Sequence, residues 1–308
     1  MNRVSTSGNY ASVLANLGSA QARQLAAGAE VSSQKKANDL KGYARHAETL
    51  TAMRTLQTRV EAYTEQTTAL SNRLNVQDTA LSQIKDAVET ARQAIADALA
   101  NDRGDTVMTE LQSAFANVVQ GLNTKNDGQY IFSGGLVNTP PTTATSMASL
   151  TAATSIPTLF QNASFQTTNR LDDSTTLQTG FLADQVGTAT YNAFLNVQTF
   201  QEGATGNFGG PLTAAQRSFL QSQLTVFDQA HDGLVSVVGQ NGLMQNRVTM
   251  AQTDLGNRKT MLEGMVGNIT DVDMADAISR LQQAQNSVQA AAHVFTTLQD
   301  SSLLNFLR

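Results

Sequence analysis

The chain has 308 residues with no Cys, no Trp, four prolines and a net charge of −5. A disulfide framework, Cys-ligated zinc and thiol catalysis are excluded, and the acidic balance gives no electrostatic reason to expect nucleic acid. Charged residues make up only 15%, against roughly 25% in an average soluble domain, and the small, uncharged polar groups that replace them are cheap to desolvate and suit repeated packing against neighbours.

Residues 1–17 lack the apolar stretch of a signal peptide, and no run of 18 apolar residues is present, so no membrane insertion is predicted. Read alone, this describes a cytoplasmic protein, unless an export route without a cleavable signal carries it. Residues 1–31 space Tyr10, Leu14, Leu17, Leu25 and Val31 as a weakly amphipathic helix, with Ala11, Ala15, Ala22 and Ala26 between them. Gly18 and Gly28 each cost about 1 kcal/mol relative to Ala. Such a helix is marginal alone, and it is expected to order only when packed. Residues 32–43 break the period with the turn formers Asn38, Asp39 and Gly42. Lys35, Lys36 and Lys41 form the densest basic cluster, read either as a contact for an acidic partner or, preferably, as a solvated connector.

A heptad seam dominates residues 45–100. One register holds Met53, Val60, Thr67, Leu74, Leu81, Val88 and Ile95; the other holds Leu56, Tyr63, Leu70, Gln77, Ile84, Ala91 and Ala98. The seam lasts about seven heptads without Gly or Pro, which predicts a coiled-coil helix roughly 70 Å long. Its flanks carry few charged pairs, so more than one face is expected to be covered. The helix is predicted to end at residues 101–105 with Gly104 as the cap. A second helix follows over 107–122, with Leu111, Phe115, Val118, Val119 and Leu122 on one face, and folds back as a helical hairpin. Residues 126–128 read as a turn, 129–132 as a short strand and 133–135 as another turn.

Residues 136–211 hold all four prolines and much Thr, Ser and Gly, with short apolar runs at 158–160 and 191–200. This predicts a small β-rich domain over 139–210, since so long a loop without structure would be unusual. Helix resumes at 213–239 through Phe219, Leu220, Leu224, Phe227, Leu234, Val235 and Val238. It is expected to break at Gly239 and Gly242, and to continue over 243–269 with Leu255, Leu262 and Ile269. Thr270 and Asp273 read as the N-cap and the acid of a capping box. A second seam then runs through Met274, Leu281, Val288 and Phe295, and through Ala277, Ala284, Ala291 and Leu298. The final residues Leu303, Leu304, Phe306 and Leu307 are an apolar tail that calls for a partner.

The fold class predicted is mainly α: a long antiparallel coiled-coil rod built from both chain ends, with a small β-rich domain inserted in the middle. Three parts are expected. Residues 1–42 with 270–308 form a terminal coiled coil, 43–138 with 211–269 form the helical rod with a β-hairpin near 126–135, and 139–210 form the inserted outer domain. Catalysis finds no foothold. His46, His231 and His293 are scattered. Asp271, Asp273 and Asp276 suit a helix N-terminus better than a cation. Gly206, Gly209 and Gly210 are not followed by the Lys of a phosphate loop. No enzyme activity, metal or cofactor is predicted.

Several stretches resemble the flagellin superfamily, and within it the hook–filament junction proteins (the third hook-associated protein family). Residues 2–6 with Tyr10 are similar to the start of that family. Residues 31–35 and 38–40 resemble its connector, with Gln34 where the family usually has Gly. Tyr130, Ile131, Phe132, Ser133 and Gly134 resemble its tyrosine–phenylalanine–serine–glycine signature. Residues 258–262, 271–273 and 302–304 resemble its C-terminal half. The resemblance implies a structural subunit of the bacterial flagellum, exported unfolded by the flagellar type III apparatus and secreted to the hook–filament junction. There it would meet copies of itself in a ring or short helical layer, the first hook-associated protein on one side and flagellin on the other. It also implies a cytoplasmic export chaperone, which we place on residues 281–307. Within the same superfamily, the competing reading is a flagellin of the filament itself.

Overall fold

The computed structural model describes residues 3–304, with side chains described from 8 to 299. Helix α1 (Arg3–Ser33) leads through a 3-10 turn (Leu40–Tyr43) to α2 (Ala47–Asn101) and α3 (Val107–Leu122). Strands β1 (Lys125–Asn126) and β2 (Gln129–Tyr130) follow, then the short α4 (Ala148–Ala152), β3 (Thr168–Arg170) and β4 (Thr176–Gln178). Three helices complete the chain: α5 (Ala183–Glu202), α6 (Ala214–Thr270) and α7 (Met274–Leu304). The fold is mainly α, with long helices from both ends of the sequence and a small β region between them. Two compact units result: the residues up to Arg59 with those from Asn257, and Val60–Gly256.

In the first unit α1 and α7 pack together antiparallel. The Tyr10 ring meets Phe295 edge-on at 6.1 Å, and further along the pair Glu30 is bridged by Arg280 at 2.9 Å. The covered positions of α1 include Tyr10, Val13, Leu17, Ala20, Gln24, Ala27 and Val31, alternating three and four apart. That is the spacing that keeps one stripe against a partner helix. Ala20, Ala27, Ala277 and Ala284 are buried, and their small side chains let the two backbones approach closely. The connectors interlock. Lys36 N donates to Thr270 O at 2.8 Å, and Val272 N donates to Gln34 O at 3.1 Å. Tyr43 Oη donates to Ala37 O at 2.6 Å, and Asp39 caps the 3-10 turn by accepting from Gly42 N at 3.0 Å.

In the second unit α3 lies back along α2. Gly121 permits it, since a Cβ there would stand 2.6 Å from Ile84 Cγ1. Phe115, Tyr191, Phe194 and Phe227 form the centre of the core, with ring centroids 5.1–5.2 Å apart. Burial raises the Tyr191 phenol well above its usual value, and its oxygen lies 2.9 Å from Thr142 Oγ1. The β region consists of two antiparallel hairpins, β1–β2 and β3–β4.

Four local expectations change. The apolar run at 191–200 is one face of the 20-residue helix α5, in which Val186, Thr190, Phe194 and Val197 recur at helical spacing and are buried. Helix α6 does not break at Gly239 or Gly242; Asn241 is buried there and donates through Nδ2 to Leu74 O at 3.2 Å, and this packing outweighs the low helix propensity of glycine. The left-handed residue after α2 is Asp102, with φ of 56°, and not Gly104. Gly104 is needed for space, because a Cβ would meet Leu212 and Phe208 at 3.1 and 3.2 Å. Finally, Thr270 closes α6, and the cap of α7 is Asp273, which accepts from Ala275 N at 2.9 Å and Asp276 N at 3.3 Å.

Candidate functional site

The candidate site is a set of surfaces. Along α2, Leu70, Leu74, Leu81, Ile84, Val88 and Ile95 are buried, Val60 is at the edge of burial, Tyr63 and Met53 are half-buried, and Leu56 is 44% exposed. The seam is covered where α3, α5 and α6 supply neighbours. Its two polar members are accommodated differently. Thr67 Oγ1 turns back to Thr64 O at 3.1 Å, whereas Gln77 Nε2 donates to Asn241 Oδ1 at 2.9 Å and to Thr179 O at 3.2 Å. Asn241 in turn donates to Asp78 Oδ1 at 3.1 Å, so one amide pair fixes the register of α2 against α6. Tyr63 Oη donates to Asp173 Oδ1 at 3.0 Å, and Leu171 and Leu177 of the β3–β4 hairpin pack on Leu70 and Leu74.

On α7, Met274, Leu281, Val288, Phe295 and Leu298 are half-buried on the side of α1. Leu303, Leu304 and Leu307 lie outside the residues whose side chains are described. Sequence reasoning missed Val13, Ala20 and Ala27 as contact residues because it weighted large apolar side chains; their three–four spacing was the available signal. Leu14, Leu25, Ile278 and Val294 remain exposed on the outer faces of the pair, Leu25 at 76%. Four uncovered aliphatic side chains on two paired helices form a surface suited to further packing.

Two members of the lysine cluster have an internal role. Lys35 Nζ pairs with Asp271 at 2.6 Å, and Lys36 Nζ donates to the carbonyls of Asn268 and Ile269 at 3.2 and 3.1 Å, the negative end of the α6 dipole. Lys35 and Thr270 hold the Asp271 carboxyl below its usual range. Gln34 adopts φ of 58°, the left-handed conformation that glycine adopts without strain.

Residues 130–134 are a clamp. Phe132 is fully buried, Ser133 Oγ donates to Tyr130 O at 3.0 Å, Ala163 N donates to Ser133 O and Ala183 N to Phe132 O, both at 3.0 Å. Gly134 has φ of 64°, and a Cβ there would stand 2.6 Å from Phe165 O and 2.9 Å from Ala163 O. The stretch therefore ties the middle segment to the end of α3 through its backbone. No group of three metal-binding side chains occurs among the described residues, and none of their helices is long and apolar enough to cross a membrane.

The bacterial flagellin N-terminal helical region matches residues 4–136, and the flagellin C-terminal helical region matches residues 224–307, together more than two thirds of the chain. The chain belongs to the flagellin superfamily. Solved structures share the fold of this superfamily member. One, from Vibrio parahaemolyticus and described as a flagellar hook-associated protein, is 13% identical, with a TM-score of 0.60 over 76% of this chain and 99% of that one. Another, Bacillus cereus FlgL, is 17% identical, with a TM-score of 0.55 over 71% of this chain and 99% of that one. No curated protein matches the sequence significantly. As a superfamily member, the chain is a structural subunit of the bacterial flagellum that assembles with itself and with other flagellar proteins.

Proposed function

We propose that this subunit joins the hook-associated zone to the flagellin filament, with the first hook-associated protein on one side and flagellin on the other. The observation that carries the reading is the antiparallel α1–α7 pair, whose outer faces leave Leu14, Leu25, Ile278 and Val294 uncovered. A helix pair of that kind is completed by neighbouring copies in a polymer. The resemblance of residues 130–134 to the junction signature and the likeness to a solved structure described as a flagellar hook-associated protein favour the junction over the filament. Export unfolded through the type III apparatus fits a chain with no Cys to cross-link and with end helices that are weak alone. In this reading residues 281–307 bind a cytoplasmic chaperone before export, and deletion of 281–308 abolishes that binding.

The deciding test is electron microscopy of flagella from cells lacking the gene. Bare hooks with flagellin shed into the medium are expected. Filaments of normal length would overturn the junction reading.

A further inference from the structure

Among the described residues three arginines are partly buried: Arg73, Arg92 and Arg217. Arg92 pairs with Asp228 and Arg217 with Asp102. Arg73 has neither ion pair nor hydrogen-bond partner, and burial alone pushes its guanidinium below the usual value. It is held in place by its neighbours on α2, since Leu70 and Leu74 anchor the helix against Leu171, Leu177 and Val248. Its guanidinium nitrogens are not sealed from solvent, and their five N–H donors have no acceptor within the protein, which leaves them free for an incoming one.

The space beside it is a cleft of about 250 Å³, open to solvent and lined by Arg73, Gln66, Gln129, Asn126, Tyr130 and Asn169. Its polar lining consists chiefly of side-chain amides, of which Asn169 already donates through Nδ2 to Thr179 Oγ1 at 2.6 Å. One acid, Asp127, lines the same cleft. Its Oδ2 accepts from Asn126 Nδ2 at 3.0 Å within the tight β1–β2 turn, and it makes no ion pair with Arg73.

We propose that this cleft accepts a carboxylate, and that in the assembled flagellum the carboxylate is an acidic side chain of a second copy of this chain. A carboxylate matches the planar guanidinium fork with two parallel hydrogen bonds, and exclusion of water strengthens them. A second copy is the occupant because the chain carries 25 acidic against 20 basic residues, so every copy brings carboxylates in surplus over its own cations. The inference rests on the reading of the chain as a polymer subunit and is independent of where in the flagellum the polymer sits.

Two measurements test it. In the full-length protein, acetate is titrated while the arginine Nε–Hε signals are followed by NMR. The Arg73 signal is expected to shift saturably, and Arg73→Gln to weaken acetate binding at least tenfold. No saturable shift would overturn the cleft as a carboxylate site. In flagella built from a mixture of isotope-labelled and unlabelled Arg73→Lys chains, a carbodiimide is expected to join the new amine to an Asp or Glu of another copy, read by mass spectrometry. A bond to a different flagellar protein, a bond within the chain only, or no bond would overturn the second copy as occupant. Failure of the flagellar reading itself would show separately, as absence of the chain from purified flagella.

Discussion

A glycine series separates backbone conformation from close packing at the 130–134 clamp. Gly128 and Gly134 both adopt positive φ, 79° and 64°. A Cβ at Gly128 would meet nothing within 4 Å, whereas at Gly134 it would stand 2.6 Å from Phe165 O, 2.9 Å from Ala163 O and 2.9 Å from Leu182 Cδ2. Gly128→Ala is therefore expected to cost only the left-handed strain of an L-residue, about 1 kcal/mol after the entropy regained by replacing glycine. Gly134→Ala adds an overpacking cost of about 1–3 kcal/mol, because two of the atoms in the way are backbone oxygens that cannot swing aside. At about 2–4 °C per kcal/mol for a unit of this size, Gly134→Ala lowers the melting temperature by roughly 5–15 °C and Gly128→Ala by a few degrees. Circular dichroism with tyrosine fluorescence reads the transition, since Tyr63, Tyr130 and Tyr191 belong to this unit. Equal melting temperatures for the two variants would refute the clamp as a close-packed backbone contact.

Other outcomes follow from the same geometry. Leu81 is fully buried, so Leu81→Asp is expected to cost more than about 4 kcal/mol through lost packing and a buried carboxylate, and a retained thermal midpoint would refute the seam. Gln34→Gly relieves a left-handed L-residue and should raise the stability of the terminal unit by about 0.5–1 kcal/mol in denaturant melts; a lower midpoint would count against it. Asp172 accepts from the backbone N–H groups of Ser174 and Thr175, both at 2.7 Å, which lowers its carboxyl to about 2. A folded-state value below the unfolded one stabilises above the unfolded value, and that contribution is lost as pH falls through the folded one. Amide protection across residues 168–178 should therefore decline between about pH 4 and 2, and Asp172→Asn should abolish that dependence.

Much of the site was legible because heptad spacing is a local property of sequence. The α2 residues from Leu70 to Ile95, the bounds of α3 and the α7 stripe were all readable from residues three, four and seven apart. Helix α5 was also open to this test through Val186, Thr190, Phe194 and Val197, but the Thr- and Gly-rich composition around it masked the period. Composition and periodicity thus determined the helical class, the long helices from both ends, and the absence of disulfide and thiol chemistry. Only the tertiary structure decided which residues answer one another at long range: Lys35 with Asp271, Gln77 with Asn241, and Arg73 with no partner of its own. It also decided why Gly134 must be glycine and why α6 runs through Gly239 and Gly242. Local pattern reports the preference of a segment alone, whereas close approach, pairing and desolvation depend on which distant segment the fold brings against it.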